Sequence, residues 1–220
     1  MVDHSTSPAA LFDDLAAHYD DDLFHHGVAQ ALVAGLPQDP PAGTVLDVAT
    51  GTGAAAFAAL RHLRPQRVVG VDLSGRMIDR ALAQAATLDP GQRIQWRVGP
   101  AVPAPVGRAS VDVVLCASSL HFLGLAAVRD WLRVLRPGGR AAFTLPPAAT
   151  FRPSGVFADL VAADLTIPAD EQQAAAVATE AGFVDAVARR LDVAGERPKS
   201  VFLVYATAPP AGGAHRAEAE

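Results

Sequence analysis

The stretch VLDVATGTG, residues 45–53, carries an apolar run into two closely spaced glycines. Gly51 and Gly53 permit a tight turn and a close approach of the backbone to a bound group. The free amides at the start of the helix that follows suit an anionic or polar ligand. Asp72 ends the next apolar run, about twenty residues on, where a carboxylate can accept hydrogen bonds from both hydroxyls of a ribose. Taken singly, the glycines fit a plain strand–helix turn and Asp72 fits a helix cap. Together, at this spacing, they point to a nucleoside cofactor. His121 is the side chain best suited to moving a proton. It follows the apolar run VDVVLCAS, at the edge of a sheet where ligands bind, and a neutral imidazole accepts a proton near pH 7. A pocket-lining or capping role is its alternative. His18, His25 and His26 do not have a spacing that compels a metal site; they read as surface or lid residues, and no metal is expected.

The elements that must position these residues alternate. TVLDVA (44–49), RVVGVDL (67–73), RIQWRV (93–98), VDVVLCAS (111–118) and RAAFTLP (140–146) read as strands. Between them AAAFAALRHL, GRMIDRALAQAA and VRDWLRVL place apolar residues at helical spacing, and Ser74 caps the second of these. Asp170 and Gln173 begin a further helix with a capping-box-like pattern, and Gly182 suits its C′ position. DAVARRLDV and SVFLVYAT give two more strands. Strands apolar on both faces belong in a parallel sheet covered by helices on both sides, so the expected fold is α/β, Rossmann-like and doubly wound. Residues 1–208 are expected to form one domain, with a helical lid region over 1–40, a short lid insertion over 146–170 and a disordered tail over 209–220. Phe151, Phe157 and Leu160 are candidates for an apolar acceptor pocket or for core. So small a lid implies an open pocket, weak catalysis, or an oligomer such as a homodimer that covers it.

Composition narrows the classes. The chain has 220 residues, is half apolar and carries a formal charge of -5, with no basic stripe of the kind nucleic-acid binders show. No apolar run has the length of a membrane span, and the first residues lack a signal-peptide pattern. The single cysteine, Cys116, fits a reducing cytoplasm. The expected partner is a small-molecule acceptor, with no nucleic acid and no membrane span.

GTGAAA also satisfies the nicotinamide fingerprint, but about forty residues precede the first strand and no substrate domain follows the sheet. The ordered stretches VLDVATGTG, VVGVDLSGRMI, SVDVVLCASSLHFL and WLRVLRPGGR resemble the motifs of class I S-adenosylmethionine-dependent methyltransferases. The nearest resemblance is to the small-molecule type of ubiquinone and menaquinone biosynthesis. HYDD, EAGF and SVFLVYAT resemble further landmarks of that type, so the resemblance spans roughly residues 12–208. It implies a seven-stranded sheet whose last strand is antiparallel. It implies S-adenosylmethionine as cofactor, with Ala49, Thr50 and Gly51 along its methionine part, Asp47 orienting the loop or reaching the amino group through water, and Asp72 on the ribose. Leu73 and Met77 would pack on the adenine, Tyr19 would close over the cofactor, and the backbone near Ala117 would meet the amino group. Methyl transfer to an O, N or C acceptor is the implied reaction; a cofactor-binding protein without transfer is the alternative, and a nicotinamide oxidoreductase the third reading.

One stretch departs from the family's pattern. In VGPAVPAP, Pro100 stands where the family usually has the aspartate that accepts from the adenine amino group. Proline has neither a side-chain acceptor nor a backbone donor, so adenine is left with the Ala101 amide and apolar packing. A lost charge-assisted hydrogen bond of about 1.5–3 kcal/mol weakens binding roughly tenfold to a hundredfold.

Overall fold

The computed structural model describes residues 7–193 and 199–211. Its seven strands, β1 (Thr44–Val48), β2 (Arg67–Asp72), β3 (Ile94–Val98), β4 (Val111–Cys116), β5 (Leu135–Leu145), β6 (Val184–Val193) and β7 (Lys199–Thr207), form one sheet in the order β3-β2-β1-β4-β5-β7-β6. β1 pairs in parallel with β2 and β4, β2 with β3 and β4 with β5, whereas β7 is antiparallel to both β5 and β6. This is the doubly wound sheet with an antiparallel last strand that the sequence implies. The chain reverses between β1 and β4, which opens a crevice at the carboxyl ends of those strands.

Both faces of the sheet are buried along its central strands. Val45, Val68, Val113 and Leu203 pack under α2 (Leu23–Ala34) and α3 (Ala54–His62), with α4 (Gly75–Leu88) bordering them through Ala85. Leu46, Val69, Val114 and Phe143 face the other way, onto α5 (Leu120–Val134) and α7 (Glu171–Ala181), where Trp131 is fully buried. Neighbouring residues Val45 and Leu46 therefore serve opposite layers, as the two-residue period of a strand requires.

Caps follow the expected chemistry. Ser74 accepts from the Met77 amide at 3.1 Å, Asp170 accepts from Gln173 at 2.8 Å, and Gly182 ends α7 at φ 106°. Gln173 reaches back to the amide of Ala169, one residue outside the usual box.

The amino-terminal region, expected to form one or two helices, holds two, α1 (Pro8–Leu15) and α2, joined by a 3-10 segment (Ala16–Asp21). Two boundaries differ from the sequence reading. α5 starts eight residues before the expected Val128, with a break at Gly124 (φ 74°, ψ -176°). Glycine alone fits there, since a Cβ would meet Asp164 Oδ1 at 2.1 Å. RPGG does not separate helix from strand: β5 already begins at Leu135, and a register shift against β4 absorbs the turn at Gly138 (φ 76°). The lid insertion holds one short helix, α6 (Val156–Asp159). Of the expected tail, residues 212–220 lie outside the described residues, as do residues 1–6 of the lid region. Among the described residues, no helix is long and apolar enough to cross a membrane, and no group of three or more His, Cys, Asp or Glu is arranged to hold a metal.

Candidate active site

Two cavities of about 470 and 490 Å3 meet at the carboxyl ends of β1 and β4. The turn after β1 shapes the first. Gly51 (φ 56°) presents its amide to Asp72 Oδ2 at 2.8 Å, while the Ser74 amide meets Oδ1 at 2.9 Å. The Asp72 carboxylate thus ties the glycine turn to the start of α4 and still lines the cavity with its remaining lone pairs. Burial raises its pKa, against the pull of the backbone amides. Gly53 (φ 92°) does other work: a Cβ there would strike Trp96 at 2.6 Å, so this glycine admits the indole behind the turn. Ala49 adopts φ 51° without being a glycine, a conformation that costs an L residue about 1–2 kcal/mol.

Ala49, Gly51, Asp72, Leu73, Met77 and Ala101 all line the first cavity, together with Tyr19. Tyr19 sits over the turn, its ring 3.6 Å from where a Gly51 Cβ would be. Its segment is fastened on both sides. Asp13 accepts from Ser74 Oγ at 2.5 Å and from the Arg76 amide at 3.1 Å. Asp20 accepts from Thr52 Oγ1 at 2.6 Å, from Arg80 at 2.9 Å and from Gln84 at 3.2 Å. Asp47, Thr50 and Ala117 stand behind this wall, around a small void of about 20 Å3 that Tyr19 and Ala49 also line. Thr50 Oγ1 donates to Asp47 Oδ2 at 2.5 Å, Oδ1 has no partner, and burial pushes this carboxyl up to about 7.

Pro100 is not brought to the cavity. It is exposed, because the chain turns outward after Gly99 donates its amide to the Asp72 carbonyl at 2.8 Å; only Ala101 returns to the wall. The loop that follows lacks hydrogen-bonding side chains but is held through its backbone. Asp130 accepts from the Ala104 amide at 2.6 Å, Arg133 donates to the carbonyls of Ala104 and Val106, and Arg97 donates to that of Pro105.

His121, Phe122, His25, Ser118 and Phe157 line both cavities and form the partition between them. The break at Gly124 leaves the His121 carbonyl without a following turn, and the Ala162 amide of the lid insertion donates to it at 2.9 Å. Asp164 from the same insertion accepts from the Ala126 amide, capping the second half of α5. The His121 ring packs against Phe122 (4.0 Å between centroids) and Phe151 (5.1 Å). Burial, with help from His25, pushes its pKa down to about 4, so the ring is neutral at pH 7.

Of the two roles expected of it, surface or lid, His25 has the second. It stacks on Tyr19 (5.1 Å, 17° between planes), and its pKa is lowered by burial. His26 does lie at the surface, paired with Gln30. Ser118 was missed. Its φ of 62° is unusual for serine, its amide donates to Thr144 Oγ1 at 2.7 Å, and its hydroxyl has no partner. Adjacent histidines in an amphipathic helix give no sign of which one faces inward, and the left-handed turn at Ser118 has no glycine to announce it.

Against known proteins, residues 45–139 match the family model described as a methyltransferase domain. It is 34% identical over 147 residues to the ubiquinone/menaquinone biosynthesis C-methyltransferase of Desulfotalea psychrophila, covering 63% of this chain and 58% of that protein. It is 36% identical over 107 residues to an arsenite methyltransferase of Halobacterium salinarum, covering 47% and 27% respectively. The chain spans between 27% and 58% of the first four curated relatives it matches. A SAM-dependent methyltransferase from Aquifex aeolicus shares the fold, with a TM-score of 0.65 at 19% identity over 89% of this chain and 98% of that one.

Proposed function

We propose that this chain is an S-adenosylmethionine-dependent methyltransferase acting on a small, partly apolar molecule. The carrying observation is the convergence of Asp72, the Ala49–Gly51 turn, Leu73, Met77 and Ala101 beneath Tyr19 in one cavity at the sheet's crevice. Among the described residues its only carboxylate is that of Asp72 and no lysine or arginine lines it, which suits a ligand bearing a sulfonium and an ammonium. Asp72 would hold the ribose hydroxyls, Leu73 and Met77 the adenine faces, and the Ala101 amide an adenine ring nitrogen. Asp47 would face the amino group from behind the wall. The cofactor, when bound, supplies an activated methyl group and a good leaving group. The chain supplies orientation, which is worth about 7–11 kcal/mol. The match over residues 45–139 supports the reading, and the relatives' different acceptors leave the atom methylated open. A cytoplasmic setting is supported by the single, buried, unpaired Cys116.

Calorimetric titration with S-adenosylmethionine, S-adenosylhomocysteine and NAD tests this. The first two are expected to bind and NAD not. Release of S-adenosylhomocysteine with an acceptor panel then separates an enzyme from a cofactor-binding protein. Binding of NAD in preference to both sulfur cofactors would overturn the proposal.

A further inference from the structure

The second cavity is built unlike the first. Phe24, Phe122, Phe151 and Phe157 give it aromatic walls, and the exposed Arg152 and Lys199 also line it, with no carboxylate in the lining among the described residues. Lys199 is already engaged: Asp22 accepts from it at 2.6 Å, and it lies 4.6 Å over the Phe24 ring. Arg152 is not neutralised. One of its nitrogens, Nη1, donates to the carbonyls of Ala148 and Phe151, whereas among the described residues Nε and Nη2 have no partner. A planar fork with free donors matches a carboxylate. At the other end, His25, Ser118 and His121 of the partition line the cavity, and among the described residues none of their side-chain polar atoms has a hydrogen-bond partner. His25 Nδ1, Ser118 Oγ and His121 Nδ1 are covered by protein, which leaves Nε2 of each ring as the nitrogen a ligand can reach.

Resting on the methyl-transfer reading above, we propose that this second cavity is the acceptor site and takes a flat aromatic ring with a hydroxyl at one end and a carboxylate at the other. The ring lies among the phenylalanines, the carboxylate meets Arg152, and the hydroxyl faces His121, His25 and Ser118. A volume of about 490 Å3 holds one substituted ring with room for a short side arm. The hydroxyl oxygen takes the methyl carbon as the carbon–sulfur bond breaks, and the bonding pair stays on sulfur. The hydroxyl proton passes to Nε2 of His121 and then to water. Phe151 joins the two ends, since its ring touches His121 at 5.1 Å and Arg152 follows it in the chain.

The test is calorimetry on the protein saturated with S-adenosylhomocysteine, titrated with 4-hydroxybenzoate, 3,4-dihydroxybenzoate and 4-hydroxycinnamate, each beside its carboxamide. At least one acid is expected to bind about tenfold or more tightly than its carboxamide, as loss of a charge-assisted pair predicts. Arg152→Gln is expected to erase that preference while S-adenosylhomocysteine still binds as before. Cinnamate, which lacks the hydroxyl, is expected to bind more weakly than 4-hydroxycinnamate, and that difference to shrink in His121→Ala. Normal binding of S-adenosylhomocysteine with no preference for any acid, or a preference that survives Arg152→Gln, overturns the acceptor proposal alone. Failure to bind S-adenosylhomocysteine overturns the methyltransferase reading beneath it.

Discussion

The two cavities are similar in volume and opposite in chemistry. Among the described residues, the first is lined by the Asp72 carboxylate and by no lysine or arginine; the second is lined by Arg152 and Lys199 and by no carboxylate. Between them stands a partition whose titratable members, His25 and His121, are both held toward the neutral form by burial. A cationic donor and an anionic acceptor can therefore sit side by side, each facing charge of the opposite sign. A charged partition would repel one of them at close range, where the interaction is least screened.

The sharpest way to break this contrast is to remove the acid of the first cavity. Asp72→Ala is expected to weaken S-adenosylmethionine about a hundredfold or more in calorimetry, since both a ligand acceptor and the Gly51 amide's partner are lost. Retained affinity would mean the acid is only a loop brace. His121→Ala is expected to lower kcat by about a hundredfold, the usual scale for one general base, with little change in S-adenosylhomocysteine affinity. In the parent protein the acid limb of kcat against pH should fall near 4, where the imidazole takes up a proton and can no longer accept one; in the variant that limb should vanish.

Asp47 offers a gentler probe. Its carboxyl sits at about 7 in the fold against 3.8 when free, so the folded state holds a proton that the unfolded chain has lost. The stabilisation this gives is complete below pH 3.8 and is lost as pH rises to about 7. Asp47→Asn should flatten that decline, making the ligand-free variant the more stable form at pH 8 in urea titrations but not at pH 4. The smallest effect belongs to Ala49→Gly. Relief of the left-handed strain, about 1 kcal/mol, is partly offset by the greater freedom of glycine in the unfolded chain. The melting temperature should rise by no more than about 4 °C.

Much of the first cavity was legible because its parts are tied to repeating signals. A glycine turn, a strand end and a downstream acid are fixed by backbone geometry, so Gly51 and Asp72 were found from spacing. Met77 and Leu73 were expected there only from the resemblance to the methyltransferase motifs. Gly53 was found for the right turn, yet it serves Trp96 rather than the cavity, and a packing demand of that kind leaves no local trace. Pro100 was placed by counting residues, and counting cannot show that a proline-rich chain swings outward before it returns. The partition was harder to see. His25 lies in α2, Ser118 between β4 and α5 and His121 in the first turn of α5, and of these only His121 has a side chain whose chemistry singled it out past a strand end. The break at Gly124, which fixes the His121 backbone, lies inside a stretch whose composition reads as continuous helix.

That break has an outcome for grafting experiments. The carbonyl of His121 and the amide of Ala126 are both satisfied by the lid insertion, through Ala162 and Asp164. A foreign lid spliced between β5 and α7 would bring its own cavity lining but not these two clasps, and it would set the histidine adrift. On the proposed acceptor site, acceptor preference and proton transfer would be inherited as one cassette, and exchanging the first without the second should yield a protein that still binds both reactants and no longer joins them.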